Sequence, residues 1–530
     1  MGNKKFQVWL PLIFSLILIT GMFLGFELSD NVSSKSGFFK TGKRSILQET
    51  LDLIQLKYVD SVSIDTLEGN VIEQMMVSLD PHSVYFPPVD LEEANEDLAG
   101  KFEGIGVEFT VLNDTVNVIY VIPGGPSEKA GLLIGDKFLK VNDSSITAQK
   151  PGSDEVRSLI RGKRGSKVVL HILRGKQQLA ITVIRGTIPV ASVDAAYMID
   201  RVIGYIKLNK FSESTYEEFM HAMEQLQKEG LQQLIVDLRG NGGGFMNEAV
   251  DIADEFLDGD KLVVYTEGVN SKKREYRCKR PGLFEKGKLT VLVDELSASA
   301  SEVLSGALQD WDRATIIGRR TFGKGLVQEQ YSLSDGSAIR LTVARYYTPL
   351  GRSIQRSYEK GKKIYMDDLW NRYSNGELLY ADSNKVNTGK HYKTRSGKIV
   401  YGGGGIMPDI FVPIDTIRYQ QTISKLLVDG NFNNFVYNYY LQHRQQVDQY
   451  ANAADYVQHF NNTNEMWDGL VNSAFKDSIN LKTVSANEKT FLQKRLKALL
   501  ARFRWRNPGF FQVLNSDDIV IKKATEQLAN

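Results

Sequence analysis

The sequence predicts an α/β fold: a layered domain of alternating strands and helices, with a smaller mixed module set into it and helices at both ends. Three observations carry this reading. From Ile203 onward, buried-looking strands such as "LQQLIVDL" and "KLTVLVDE" alternate with amphipathic helices such as "STYEEFMHAMEQLQKEG". Between Gly100 and Arg185 the apolar period is that of short strands separated by turn glycines. Residues 41–80 and those beyond Thr416 instead space their apolar side chains at three and four, as helices do.

The 530 residues exceed one typical domain. Lys and Arg number 65 against 63 Asp and Glu, a balance that argues against a partner bound through phosphate charge, so no nucleic acid is expected. Hydrophobic residues make up 42% of the chain, enough for real cores. Cys278 is the only cysteine, so neither an internal disulfide nor a multi-cysteine metal site is available. No metal site or cofactor is expected.

Lys4 and Lys5 precede an uncharged apolar run from Phe6 to Phe26, about the length of a membrane-spanning helix. Positive charge before the run places the N-terminus inside and the remainder outside the cytoplasm. No small-x-small cleavage site comes after it, which favours a retained anchor over a cleaved signal peptide. The expected boundaries are 1–29 for the anchor, 41–100 for N-terminal helices, 101–187 for the small module, 188–415 for the layered domain with an insertion at 356–401, and 416–530 for a helical extension.

The small module resembles a PDZ domain. "GIGV", Gly104, Ile105, Gly106 and Val107, stands where that family keeps its carboxylate-binding loop. "GGPSEKAGLLIGDKFLKVN" resembles the strand, short helix and hairpin that come after the loop in that family. Glycines there let backbone N–H groups converge on a peptide C-terminus while its backbone extends the sheet edge. A tight turn alone is the simpler account of Gly104 and Gly106.

In the layered domain, "LTVLVDE" leads into "LSASASEVLSGALQDW". Ser299 therefore falls at a strand-to-helix turn or in the first helical turn, where unpaired N–H groups and the helix dipole favour an anion. A serine nucleophile needs a base. None of the six histidines sits in a motif that positions a catalytic imidazole. Lys324, set between Gly323 and Gly325 with Phe322 and Leu326 beside them, suits a desolvated amine that is partly neutral near pH 7. Its local composition suits an ordinary surface lysine equally well.

The motifs "SASASEVLSGALQD", "TFGKGLVQ", "DLRGNGGG", "LDPHSVYF", "GKFEGIGVEF", "LTVARYYTPLGRSIQ" and "GGGGIMPDIFVP" together resemble the C-terminal processing peptidases, or tail-specific proteases, over about residues 45–415. The resemblance implies a ClpP/crotonase-like protease core with an inserted PDZ domain. It implies Ser299 as nucleophile, Lys324 as general base and Gln328 as the residue holding that lysine. Gly242 or Gly243, with Ala300, would supply the oxyanion amides. Ser297, Ser301 and Glu302 read as turn, cap and helix-start residues. It further implies a bacterial enzyme anchored in the inner membrane and facing the periplasm, acting on envelope proteins captured by their C-termini. A second copy of the chain or an adaptor protein is the further candidate partner. An inactive PDZ scaffold and an acyl-CoA hydratase-like enzyme are the competing classes. The former has no reason to keep Ser299, Lys324 and Gln328 together, and the latter needs neither Lys324 nor the small module. Two stretches depart from the family pattern. The polar, tyrosine-rich 356–401 insertion reads as an ordered surface feature. The basic run "LQKRLKALLARFRWR" reads as a solvated helix face packed on the protease core.

Overall fold

The computed structural model describes residues 14–22, 45–112, 114–146, 152–381, 390–428 and 430–530. The chain divides into two compact units, Met1–Val71 and Ile72–Asn530. In the first, residues 14–22 form helix α1. The remainder of the expected Phe6–Phe26 anchor lies outside the described residues. No helix among the described residues is long and apolar enough to cross a membrane. Helix α2 (Ile46–Lys57) starts at Ser45, whose Oγ accepts the Gln48 N–H at 3.2 Å. Helix α3 (Ile64–Leu79) comes next.

Strand β1 (Val84–Phe86) leads into α4 (Pro88–Ala99), which begins on a proline and ends on Gly100 in the left-handed region (φ 66°). Strand β2 (Lys101–Gly104) then pairs antiparallel with β9 (Gly186–Pro189), Lys101 opposite Pro189 and Gly104 opposite Gly186. The small module is strung between these two strands. It holds β3 (Val107–Leu112), β4 (Thr115–Val121), α5 (Pro126–Lys129), β5 (Lys137–Val141), β6 (Ser144–Ser145), α6 (Ser153–Ile160), β7 (Lys167–Arg174) and β8 (Gln177–Ile184). The sheet order is β3-β4-β5-β7-β8, with β6 on β5. Alternate residues such as Val116, Val118, Leu170 and Ile172 point into one core with Phe138 and Val183.

The layered domain is built on a sheet of order β10-β11-β12-β15-β16-β21. These strands are Val193–Met198, Ile203–Leu208, Gln233–Asp237, Leu289–Val293, Thr315–Gly318 and Ile410–Phe411. β11 to β21 run parallel, and β10 is antiparallel to β11. Their apolar residues do not alternate with polar ones because both faces are covered. Leu234, Val236, Val291, Val293 and Ile316 face α7 (Thr215–Lys228), α8 (Met246–Asp254) and α9 (Ala300–Asp310). Ile235, Leu292 and Ile317 face the other way, onto Val520, Ile521, Ala524 and Leu528 of the last helix.

A second sheet joins β1 to β18 (Ala338–Tyr347), then β13 (Leu262–Glu267) and β14 (Arg274–Arg277), with β17 (Leu326–Ser332) also on β18. Through it β1 is tied to the strand pair that begins just after Lys324. The insertion forms α10 (Lys362–Met366), α11 (Asp368–Ser374) and a hairpin of β19 (His391–Lys393) and β20 (Ile399–Tyr401).

The extension folds as α12 (Gln421–Val428), α13 (Asn431–Asp448), α14 (Ala453–His459), α15 (Thr463–Lys476) and α16 (Ala486–Asn515) around Tyr440, Tyr456, Met466, Leu492 and Leu496, and ends in α17 (Ile519–Ala529) on the layered sheet. α16 breaks at Arg506 (φ 56°), two residues before Pro508. The basic run does not pack on the layered domain alone. Arg502 and Arg506 both pair with Glu108 of β3, and the Arg506 guanidinium lies 3.4 Å above the Tyr120 ring. The break aims these side chains at the small module, while Asn507 Nδ2 reaches Asp194 Oδ1 at 2.6 Å.

Candidate active site

Three successive parallel strands, β12, β15 and β16, each end in a loop on the same edge of the sheet. That edge, beyond the carboxyl ends of parallel strands, is where open α/β sheets place their sites. The loop after β12 carries Gly240 to Gly244, the loop after β15 carries Ser299, and the loop after β16 carries Lys324. One cleft of about 560 Å³ is lined by Gly242, Gly243, Ser299, Ala300, Lys324 and Gln328. The fold thus brings these six residues together. Leu98, Phe245, Met246, Val303 and Leu326 give the cleft apolar walls, with Lys210 and Arg340 among its polar ones.

Ser299 stands at the N-cap of α9 with φ 56° and ψ −114°. An L-residue takes this conformation only under restraint, at a cost of about 1–3 kcal/mol. The restraint is visible. Asn241, fully buried, accepts at its backbone oxygen from the Ala298 N–H (3.0 Å) and from Ser301 Oγ (2.9 Å). Ser297 Oγ donates to Leu238 O at 2.8 Å. The alternating serines therefore divide their work: Ser297 bonds Leu238 and Asp294, Ser301 bonds the glycine loop at Asn241, and Ser299 lines the cleft.

Gly243 (φ 98°) lies flat against the Ser299 turn; a Cβ there would stand 2.7 Å from Ala298 O. Its own N–H donates to Asn241 Oδ1 at 2.9 Å. The N–H groups of Gly242 and Ala300 meet no acceptor among the described residues.

Lys324 Nζ donates to Gln328 Oε1 at 3.0 Å. Burial, helped by the Arg340 guanidinium, pushes the amine below the ordinary lysine range; Asp80 and Glu302 pull weakly the other way. Gln328 holds the amine without adding a charge.

Glu302 does more than start a helix. Its fully buried carboxylate accepts the Ser299 N–H (2.9 Å), the Thr321 hydroxyl (2.5 Å), the Gly323 N–H (2.7 Å) and the Lys324 N–H (2.9 Å). Burial raises this carboxyl to about 7, with the four donors opposing the rise. Tyr346 makes a second tie, its OH donating to Lys324 O (2.6 Å) and Ser299 O (3.1 Å). Sequence reasoning missed both roles. The glutamate three residues after Ser299 carries the signal of a capping box, which is local. Its bonds to residues 321–324 are not.

His82 approaches the lysine from the segment before β1. Its ring is driven down to about 3 by burial and by Lys324, so it is neutral, and Nε2 lies 2.8 Å from the Tyr365 OH.

The loop Gly104–Val107 does not line the Ser299 cleft. Ile105 O accepts from Ser127 N (3.0 Å) and Ser127 Oγ (2.6 Å), and Gly106 has φ 76°. Within the module's sheet, β3 pairs with β4 alone among the described residues, so its second edge is open.

Residues 202–361 match peptidase family S41, residues 104–184 match the PDZ domain, and residues 422–506 match a family of unknown function. A probable CtpA-like serine protease of Staphylococcus epidermidis is 34% identical over 357 residues, 66% of this chain and 72% of that protein. The carboxy-terminal processing protease CtpA of Bacillus subtilis is 33% identical over 382 residues, 71% of this chain and 80% of that protein. The solved photosystem II D1 C-terminal processing protease is 26% identical, covering 71% of this chain and 90% of its own, with a TM-score of 0.35. The chain belongs to the C-terminal processing peptidases of family S41 and is a serine-type peptidase.

Proposed function

We propose that this peptidase works through a Ser299–Lys324 dyad on proteins captured by their C-terminal tails. The observation that carries the reading is the shared cleft: a strained serine, two open backbone N–H groups and a desolvated lysine amine held by Gln328 line one space.

The neutral Lys324 amine takes the Ser299 hydroxyl proton as Oγ bonds to the scissile carbonyl carbon. The carbonyl oxygen becomes an anion facing the Gly242 and Ala300 N–H groups, each such donor contributing roughly 3–4 kcal/mol in acyl transfer. Gly243 is set aside for this role because Asn241 already takes its N–H. As the tetrahedral intermediate collapses, the C–N bond breaks and the Lys324 ammonium protonates the departing amine. Water then attacks the acyl-enzyme, its proton passing to Lys324. The ester bond to Ser299 breaks, the serine oxygen regains a proton, and a free carboxylate leaves.

The backbone amides around Gly104 to Val107 are read as the tail-binding loop, and the open edge of β3 as the strand a tail extends. The run Phe6–Phe26 supports an anchored enzyme outside the cytoplasm with envelope proteins as substrates. The test uses residues 30–530 and a disordered reporter chain ending in Ala-Ala-Val. Wild type should release fragments, while Ser299→Ala and Lys324→Ala release none with the fold retained. Near wild-type turnover by Lys324→Ala would overturn the dyad. Fractionation of cells making the full chain tests the location.

A further inference from the structure

The insertion at 356–401 packs along the loop that carries Lys324. Arg372 Nη1 donates to Thr321 O at 3.1 Å, and the same guanidinium reaches Arg320 O. Glu377 fixes it, accepting from Arg372 Nε (2.9 Å) and Arg320 Nε (2.7 Å). The Arg356 guanidinium lies 3.9 Å above both the Phe322 and Tyr365 rings and pairs with Asp368 of α11. Tyr365 of α10 is 3% exposed and meets Phe322 edge-on at 5.9 Å and 78°.

Two hydrogen-bond routes run from the Tyr365 hydroxyl to the lysine. One passes through His82 Nε2 (2.8 Å), then from His82 O to Gln328 Nε2, and from Gln328 Oε1 to Lys324 Nζ (3.0 Å). The other passes through Gln355 Nε2 (3.4 Å), whose Oε1 accepts the Gly325 N–H at 2.7 Å.

The first route has a definite purpose. A glutamine amide can present either end to an amine, and a free lysine stem has many rotamers. Pinning the NH₂ end of Gln328 on a carbonyl leaves only Oε1 to face Lys324. That carbonyl belongs to His82, whose N–H is held by Asp80 Oδ1 at 2.8 Å and whose ring is held by Tyr365. We propose that the insertion braces the general base: Tyr365 positions the Lys324 side chain through His82 and Gln328, and the lysine loop through Gln355. Tyr365 is then a positioning residue that touches neither substrate nor Ser299. The inference rests on the dyad reading above. The charged groups around the amine are Arg340, Asp80 and Glu302, and those around His82 are Lys324, Asp80, Arg356 and Lys362. Removing the Tyr365 hydroxyl takes away none of these charges, and among these groups it is Arg356 that hydrogen-bonds the hydroxyl itself.

The experiment takes residues 30–530 and the Ala-Ala-Val reporter. It compares Tyr365→Phe, His82→Ala, the double variant, Lys324→Ala and, as a control in the same insertion, Tyr380→Phe. Tyr365→Phe keeps the ring and its packing, so its melting temperature should stay near wild type. Its kcat should fall about tenfold with KM little changed, the effect of a misplaced catalytic group. The rising limb of kcat against pH should move to lower pH, because an unpinned Gln328 no longer stabilises the ammonium. The double variant should lose no more than the worse single one, since both cut one route. Wild-type kcat and pH limb in Tyr365→Phe, a loss confined to KM, or an additive double variant overturns the brace while Lys324→Ala stays inactive. Activity retained by Lys324→Ala instead removes the dyad itself, and the brace with it.

Discussion

A Cβ built on Gly243 would stand 2.7 Å from the Cβ of Ser299, closer than two such atoms come. Gly243 also has φ 98°, so a side chain there is strained as well as blocked. Gly243→Ala should therefore lose at least about a hundredfold in kcat/KM and about 2–3 kcal/mol of stability. Gly242 has open space around it and no positive φ, so Gly242→Ala should unfold like wild type. Denaturant midpoints of the two variants check the contrast; equal midpoints would remove the steric argument.

Glu302→Gln places an amide NH₂ against the donors that the carboxylate now accepts. Loss of those bonds should cost about 2–4 kcal/mol below pH 4.5, and most of the activity. The glutamate also makes the difference depend on pH. Its native pKa of about 7 lies above the ordinary glutamate value of 4.5, so the folded state keeps a proton that the unfolded chain releases. That contribution is complete below pH 4.5 and is lost as pH rises through 7. The advantage of wild type over Glu302→Gln should shrink by on the order of 3 kcal/mol across this window. Urea titrations in a Ser299→Ala background measure it, and a constant difference would count against the assignment.

A lysine base gives a rate that rises as the amine loses its proton. Because burial and Arg340 lower the Lys324 pKa, kcat/KM should climb at a lower pH than an ordinary lysine, at 10.5, would give. Lys324→Arg should be inactive throughout, since a guanidinium keeps its charge. Arginine activity, or a flat profile, would point to another base.

Tail capture is tested with two reporters that differ only in a C-terminal carboxylate or carboxamide. The carboxylate should be cut faster, and the gain should vanish when residues 102–186 are replaced by a short glycine-serine linker. Equal cutting of both reporters by the intact enzyme would sink the idea that the amides of Gly104 to Val107 read the carboxylate.

The elements were legible where a local pattern encodes them. The apolar runs of β12 and β15 announce strands covered on both faces, and the glycine cluster at 240–244 announces the loop after β12. Ser299, Ala300, Lys324, Gln328 and the glycines could be named from sequence, and they line one cleft. What binds them was not legible. Asn241 looks like any loop asparagine until its backbone oxygen meets Ala298 and Ser301. Gln328 and His82 are 246 positions apart, and no periodicity relates them. Tyr365 lies in a polar insertion that composition assigns to the surface, yet it is among the buried residues beside the lysine loop. Arg502 and Arg506 form part of a basic helix face whose target, Glu108, is nearly four hundred positions away. Partners so distant are chosen by the fold, not by the neighbouring sequence.

The small module enters and leaves through β2 and β9, which lie side by side with Gly104 opposite Gly186. Paired strands stand about 5 Å apart, so the chain departs from the protease and returns to it at nearly one point. Such a junction makes the module a cassette. Any domain whose own ends are close can be spliced at the same ribbon without restringing the catalytic sheet. On the tail-capture reading proposed above, exchanging the cassette would change what the enzyme recognises while the catalytic sheet stays as it is.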